Sequence, residues 1–79
     1  MQIDKERIEQ IVSDMAPIVA DQYLDKNLSK YLPSIEQNLT LLNNYLDSHI
    51  EHDTELYHFL ITVSYQYYRL KDQILSTHH

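Results

Sequence analysis

The chain has 79 residues, of which twelve are acidic and six are Lys or Arg, and its formal net charge is −6 with neutral histidines. A chain this short is predicted to form one domain, residues 1–79, whose small core alone gives marginal stability. Cysteine and glycine are both absent, which excludes disulfides, thiolate metal sites and glycine-rich phosphate-binding loops.

The N-terminal segment carries charged side chains where the apolar region of a signal peptide would lie. No segment approaches the ~20 consecutive apolar residues that a membrane-spanning helix needs. We therefore predict a cytoplasmic protein with no membrane contact. The closing His78 and His79 are either native or the remainder of an affinity tag, and no prediction depends on them.

The first helix is predicted over about residues 4–26, because its apolar residues recur at spacings of three and four. Pro17 interrupts this pattern, and a proline inside a helix costs ~3 kcal/mol. Since the apolar stripe continues in phase across it, we predict one helix kinked at Pro17. The alternative is two short helices that separate near Asp14. The predicted apolar face consists of Ile8, Ile11, Val12, Met15, Ile18, Val19 and Tyr23.

The connection that follows is predicted to begin with Asn27 in the left-handed conformation that often ends a helix. Residues 27–32 can form a short extra turn, and Pro33 suits the first turn of the next helix. That second helix is predicted over about residues 33–50. Its apolar face comprises Ile35, Leu39, Leu41, Leu42, Tyr45, Leu46 and His49. Its polar side comprises Gln37, Asn38, Asn43, Asn44 and Asp47.

The third helix is predicted over about residues 54–75, with Asp53 or Thr54 as its N-cap. Residues 61–67 alternate between apolar and polar, which is typical of a β-strand and leaves an α+β fold as an alternative. A longer heptad pattern favours the helix, and no second strand is present to pair with residues 61–67. The heptad stripe consists of Leu56, Leu60, Val63, Tyr67, Leu70 and Ile74.

A second apolar face lies beside the heptad stripe and consists of Tyr57, Ile61, Tyr65 and Tyr68. In a three-helix bundle each helix touches two others, so a two-sided apolar arc is expected from packing alone. Tyrosine is also enriched at protein interfaces, because its ring is apolar and its hydroxyl is polar. Four tyrosines on one helix are more than a small core can satisfy, and we predict that some of them face another chain.

Three histidines surround the turn before the third helix, His49, His52 and His58, with carboxylates among them. Two imidazoles three residues apart can bind zinc, but no HExxH motif is present and solvated turn histidines are far commoner. The same histidines could instead respond to pH. We predict no metal and no cofactor. The serines lie in no glycine-bearing nucleophile elbow, and we predict no enzymatic activity.

No lysine or arginine occurs between Tyr31 and Tyr68, so direct binding of nucleic acid, including by a helix-turn-helix, is not expected. The predicted fold is all-α, an antiparallel three-helix bundle with a long tyrosine-rich last helix, and it is expected to form a homodimer. The predicted function is a small acidic regulator, inhibitor or adaptor that binds a protein partner. The alternatives are an acidic decoy that mimics nucleic acid and a helical binder of the chaperone or immunity type.

Overall fold

The computed structural model of the chain describes residues 5–48 and 54–77, and these residues are almost entirely helical. In chain order the elements are α1 (Lys5–Tyr23), a short 3-10 helix (Ser29–Tyr31), α2 (Leu32–Asp47) and α3 (Glu55–Thr77). The described ranges contain no strand, and α3 runs without a break through residues 61–67. The helical prediction for this segment is therefore confirmed, and the α+β alternative finds no support.

The continuity of the first helix and the start of the third helix follow the predictions from sequence. α1 continues through Pro17 as one helix, so the alternative of two short helices near Asp14 is wrong. The Tyr57 N–H donates to the Thr54 side-chain oxygen at 3.2 Å, which makes Thr54 the cap of α3. The alternative cap, Asp53, lies outside the described residues.

The predicted left-handed residue at the end of the first helix is wrong in position. α1 ends at Tyr23, and it is Asp25 that has a positive φ of 57°; aspartate, like asparagine, tolerates this conformation. Asn27 instead uses its side chain, which accepts a hydrogen bond from the Ser29 N–H at 2.9 Å. The predicted short extra turn is the 3-10 helix, and Pro33 lies in the first turn of α2 as predicted.

All three helices contribute to one core, although α1 contributes a narrower stripe than its sequence predicts. Val12, Val19 and Tyr23 belong to the predicted apolar face of the first helix, but their side chains are exposed. The cause is that α2 and α3 pack most closely against each other, so α1 buries only the residues nearest their shared groove. The buried apolar residues are Ile8, Ile11, Ile18, Ile35, Leu39, Leu42, Tyr45, Leu60, Val63, Tyr67, Leu70 and Ile74.

A buried hydrogen-bond network joins the three helices. The Tyr67 hydroxyl donates to the backbone carbonyl of Ile11 and accepts from the side-chain nitrogen of Asn38 at 3.1 Å. The same nitrogen donates to the carboxylate of Asp14 at 3.1 Å, which also accepts from Gln10 at 2.7 Å. Since buried polar groups are costly without their partners, this network favours one register of the three helices.

Asn38 is predicted on the polar side of the second helix, but its side chain is buried, with 6% exposed. The partners that make this burial tolerable, Asp14 and Tyr67, come from the other two helices. Burial raises the pKa of Tyr67 to about 12 because it disfavours the phenolate; the hydrogen bond from Asn38 acts in the opposite direction, and the nearby charge of Asp14 raises the pKa further. The Tyr67 hydroxyl therefore stays neutral, and its hydrogen bonds connect α3 to both α1 and α2.

The end of α1 is held to the 3-10 helix by the carboxylate of Asp21. The Tyr31 hydroxyl donates to it at 2.6 Å, and the ammonium groups of Lys30 and Lys26 lie 3.5 and 3.9 Å away. The hydrogen bond from Tyr31 is the main cause that lowers the pKa of Asp21, with smaller contributions from the two lysines. The contact raises the pKa of Tyr31 in return.

We expect an acid-dependent contribution to stability from this contact. Because the pKa of Asp21 is lowered in the folded chain from its ordinary value of 3.8, the contribution is fully present above that value and is lost as the pH falls through the lowered value. Thermal unfolding of Asp21→Asn and of the natural chain should therefore differ near neutral pH and converge in strong acid. Tyr31→Phe should lose most of the same pH-dependent contribution to stability, because it removes the main hydrogen bond to the Asp21 carboxylate. Asp72→Asn is the control, since Asp72 is exposed and has no ion pair with the described residues; an equal effect there would contradict the assignment.

Candidate protein-interaction surface

The four predicted interface residues lie on one side of α3, and we call them the tyrosine face: Tyr57, Ile61, Tyr65 and Tyr68. Ile61, Tyr65 and Tyr68 are 41%, 59% and 43% exposed, and Tyr57 is half-buried. Successive helical residues are about 100° apart, so positions 57, 61, 65 and 68 fall within one arc. The structure therefore brings the predicted residues together on the surface.

The heptad stripe of α3, which lies beside the tyrosine face, is occupied by the protein's own core. Leu60, Val63, Tyr67, Leu70 and Ile74 are buried there, as the heptad pattern predicts. Leu56, the first member of that pattern, is exposed at the start of α3. Packing within the chain thus accounts for the heptad stripe and for one tyrosine of this helix, Tyr67, and it leaves most of the tyrosine face uncovered.

Neighbouring side chains orient the tyrosine face without covering it. The Asn43 side-chain nitrogen of α2 donates to the Tyr68 hydroxyl at 3.2 Å. The Arg69 guanidinium lies 5.9 Å from the centre of the Tyr65 ring, within the range of a cation–π contact. Tyr57 packs edge-on against the His58 ring, with centroids 5.9 Å apart. The rings are therefore partly ordered before any second chain arrives, which lowers the entropic cost of binding.

Sequence reasoning missed further apolar side chains on the surface. Phe59 at the start of α3 is exposed, as are Val12 and Val19 on α1. Val19 borders a shallow groove between α1 and α3 of about 220 Å³, together with polar side chains such as Gln66 and Arg69. The helical spacing in the sequence places Val12 and Val19 on the apolar face of α1. It does not show that this part of the face is turned away from the core.

A larger cleft of about 440 Å³ lies between the end of α1 and the last turns of α3. Its lining consists of Gln22, Asp25, Lys26, Asn27, Leu28, Gln73 and Ile74. The Gln22 side chain donates a hydrogen bond to the Gln73 side chain across it. The side-chain amides of Gln22 and Gln73 do not titrate near neutral pH, so neither of these two groups can act as a general acid or base.

The histidine cluster can be followed only in part. His49 and His52 lie outside the described residues, and His58 is exposed on α3. Within residues 5–48 and 54–77, no three His, Cys, Asp or Glu side chains are grouped so that they could hold a metal ion. In the same ranges no helix has the length and apolar character needed to cross a membrane.

No protein-family model matches the chain, and no curated protein and no solved structure is significantly similar to it.

Proposed function

We propose that this chain is a small acidic protein, without enzymatic activity, that acts as a regulator, inhibitor or adaptor by binding another protein chain through the tyrosine face. The observation that carries the proposal is the exposure of Ile61, Tyr65 and Tyr68 on one side of a helix whose other side lies in the core. Tyrosine side chains contribute large contact areas at protein interfaces at a low cost in conformational entropy.

The architecture that we propose for this function is a single domain, an antiparallel three-helix bundle with a kink at Pro17, in the cytoplasm. Two contacts between α2 and α3 support opposite directions for these helices. Glu36, early in α2, lies 3.9 Å from Lys71, late in α3, whereas Asn43, further along α2, reaches Tyr68. Such a bundle holds α3 rigidly and presents the tyrosine face as a fixed surface.

The acidic-decoy alternative receives less support from the described charges. The acidic surface expected of a decoy runs from Glu36 to Glu55; Glu36 in it is paired with Lys71, and Glu51 and Asp53 lie outside the described residues. A mimic of nucleic acid has to approach a much higher density of negative charge, since double-stranded DNA carries one charge per ~1.7 Å of its axis. The remaining alternative, a chaperone- or immunity-type binder, would use the groove between α1 and α3 instead.

The proposal is tested by comparing the natural chain with Tyr65→Ser/Tyr68→Ser as baits for proteins from a cell extract, at low and at high salt. We expect at least one protein to be retained in both salt conditions by the natural chain and lost with the double variant. Tyr23→Ser is the matched control, because Tyr23 is 88% exposed but lies on α1. Retention that is equal for all three chains would contradict the proposal, and retention that disappears at high salt would favour the decoy.

A further inference from the structure

We propose that the tyrosine face is covered by the same face of a second copy of this chain, with the two α3 helices antiparallel and the two-fold axis beside Tyr65. This inference rests on the proposed function, because it names the chain that the tyrosine face binds. It goes further in fixing the direction and register of the pairing, and both can be tested separately from the binding of any other protein.

The spacing along α3 provides a second heptad stripe, shifted by one residue from the stripe in the core. Its positions are separated by four, three, four, three and four residues, which is the repeat that packs two helices along a seam. The members of this stripe are Tyr57, Ile61, Ser64, Tyr68, Lys71 and Leu75. Ser64 is buried within the chain and Lys71 is paired with Glu36 of α2, so the apolar part of the seam at the surface is Tyr57, Ile61, Tyr68 and Leu75. Tyr65 lies beside its middle and is the most exposed residue of the tyrosine face. Leu75 extends the exposed apolar surface towards the end of α3.

The accessible surface of the chain is larger than that of a compact monomer of the same mass. It measures 5727 Å² for a 9.5 kDa chain, whereas monomeric proteins of this mass expose about 5000 Å². The radius of gyration of 13.3 Å also exceeds the ~11.5 Å expected for a compact domain of this length. The exposed apolar side chains of α3, which are Ile61, Tyr65, Tyr68 and Leu75 among others, contribute part of this surface.

The charges along α3 favour two copies that run in opposite directions. The first turn carries Glu55, and the second half carries Arg69, Lys71 and Asp72; Lys71 is paired with Glu36 of α2 in its own chain. Parallel pairing would place Arg69 of one copy beside Arg69 of the other, whereas antiparallel pairing separates these two cations and opposes the two helix dipoles.

The register follows from symmetry about the middle of the tyrosine face. With the axis beside Tyr65, the two Tyr65 rings meet near the axis, and Ile61 of each copy lies opposite Tyr68 of the other. An aliphatic side chain then packs against an aromatic ring on both sides of the axis. Because two tyrosine rings near each other prefer offset or edge-to-face packing, the Tyr65 pair forms the centre of the interface, where hot-spot residues are typically found.

The first part of the test measures molar mass by light scattering over a range of protein concentrations. We expect a dimer that persists at high salt, since screening weakens the repulsion between two chains of like net charge. Tyr65→Ser should raise the dissociation constant by about 30-fold or more, and Tyr23→Ser should leave it nearly unchanged. A monomer at every concentration would overturn the inference, whereas the proposed function would be contradicted only by the bait experiment with the double variant.

The second part of the test uses the natural absence of cysteine to determine direction. Ile61→Cys and Tyr68→Cys chains are mixed, oxidised and separated by mass. Disulfides form only when the two Cα atoms are about 4.4–6.8 Å apart, so antiparallel pairing predicts a mixed 61–68 product well above the statistical half. Products that are mainly 61–61 and 68–68 would show parallel pairing and overturn the register. Circular dichroism of the reduced variants verifies that both fold.

Discussion

Replacing Tyr67 with alanine is expected to lower the free energy of unfolding by about 3–5 kcal/mol, the usual cost of truncating a large core side chain. A domain of this size has only about 3–5 kcal/mol from its single core, so the variant should be largely unfolded at room temperature. The physical reason is that Tyr67 has no exposed surface and its hydroxyl connects to both other helices. Loss of the helical signal in circular dichroism and of cooperative urea unfolding would be the measured result.

Tyr67→Phe separates the contribution of the hydroxyl from that of the ring. It keeps the packing but leaves Asn38 with one partner fewer, and we expect a loss of about 1–3 kcal/mol in urea unfolding. Tyr45→Phe makes the same chemical change at a second buried tyrosine, whose hydroxyl bonds to no group in the described part of the chain. A loss for Tyr45→Phe as large as that for Tyr67→Phe would contradict the role assigned to the network.

The third helix could be predicted well from sequence because its pattern is long. The heptad stripe from Leu60 to Ile74 extends over four turns, whereas the strand-like alternation covers only residues 61–67 and has no second strand to pair with. A helix also makes its backbone hydrogen bonds within its own segment, so it needs no distant partner. The positions of the core residues on α3 follow directly from this spacing.

The parts that were not predictable depend on contacts between helices. Asn38 is an ordinary polar residue in sequence, and nothing nearby shows that Asp14 and Tyr67 will surround it. The exposure of Val12 and Val19 likewise depends on how α1 is rotated against the other helices. The end of α1 differs from its prediction because Asp25, rather than Asn27, takes the left-handed conformation, and both residue types can do so.

The tyrosine face could be predicted from sequence only in part. The spacing of Tyr57, Ile61, Tyr65 and Tyr68 places them on one side of a helix, and the structure shows that side to be largely exposed. That exposure depends on the packing of α2, whose Asn43 side chain reaches the Tyr68 hydroxyl while the Tyr68 side chain stays exposed. Sequence thus predicts which residues share the face, and tertiary packing decides that the face is available to a second chain.

Replacing Asn38 with aspartate should greatly lower the free energy of unfolding near neutral pH, and this loss should become smaller in acid. A second buried carboxylate would then lie where the amide now donates to Asp14 at 3.1 Å, and we expect a loss of about 3–5 kcal/mol near neutral pH, as for other uncompensated buried charges. Two carboxylates at this distance raise the pKa of the pair in the folded state. The folded variant then binds a proton more tightly than the unfolded chain, so its stability rises as the pH falls through that raised value.

Asp21, whose lowered pKa makes the folded chain lose stability in strong acid, is present in both chains, so its effect cancels from the difference between the variant and the natural chain. Urea unfolding at about pH 7 and about pH 4 therefore should show the gap between the variant and the natural chain shrinking to about 1 kcal/mol, the value of the one hydrogen bond that a protonated carboxyl cannot replace. Asn43→Asp is the matched control, since Asn43 is exposed and its side chain, like that of Asn38, donates a hydrogen bond to a tyrosine hydroxyl. Its effect should stay within about 0.5 kcal/mol at both pH values, as for other surface substitutions. A gap for Asn38→Asp that does not change with pH would mean that Asn38 and Asp14 are not in contact in solution.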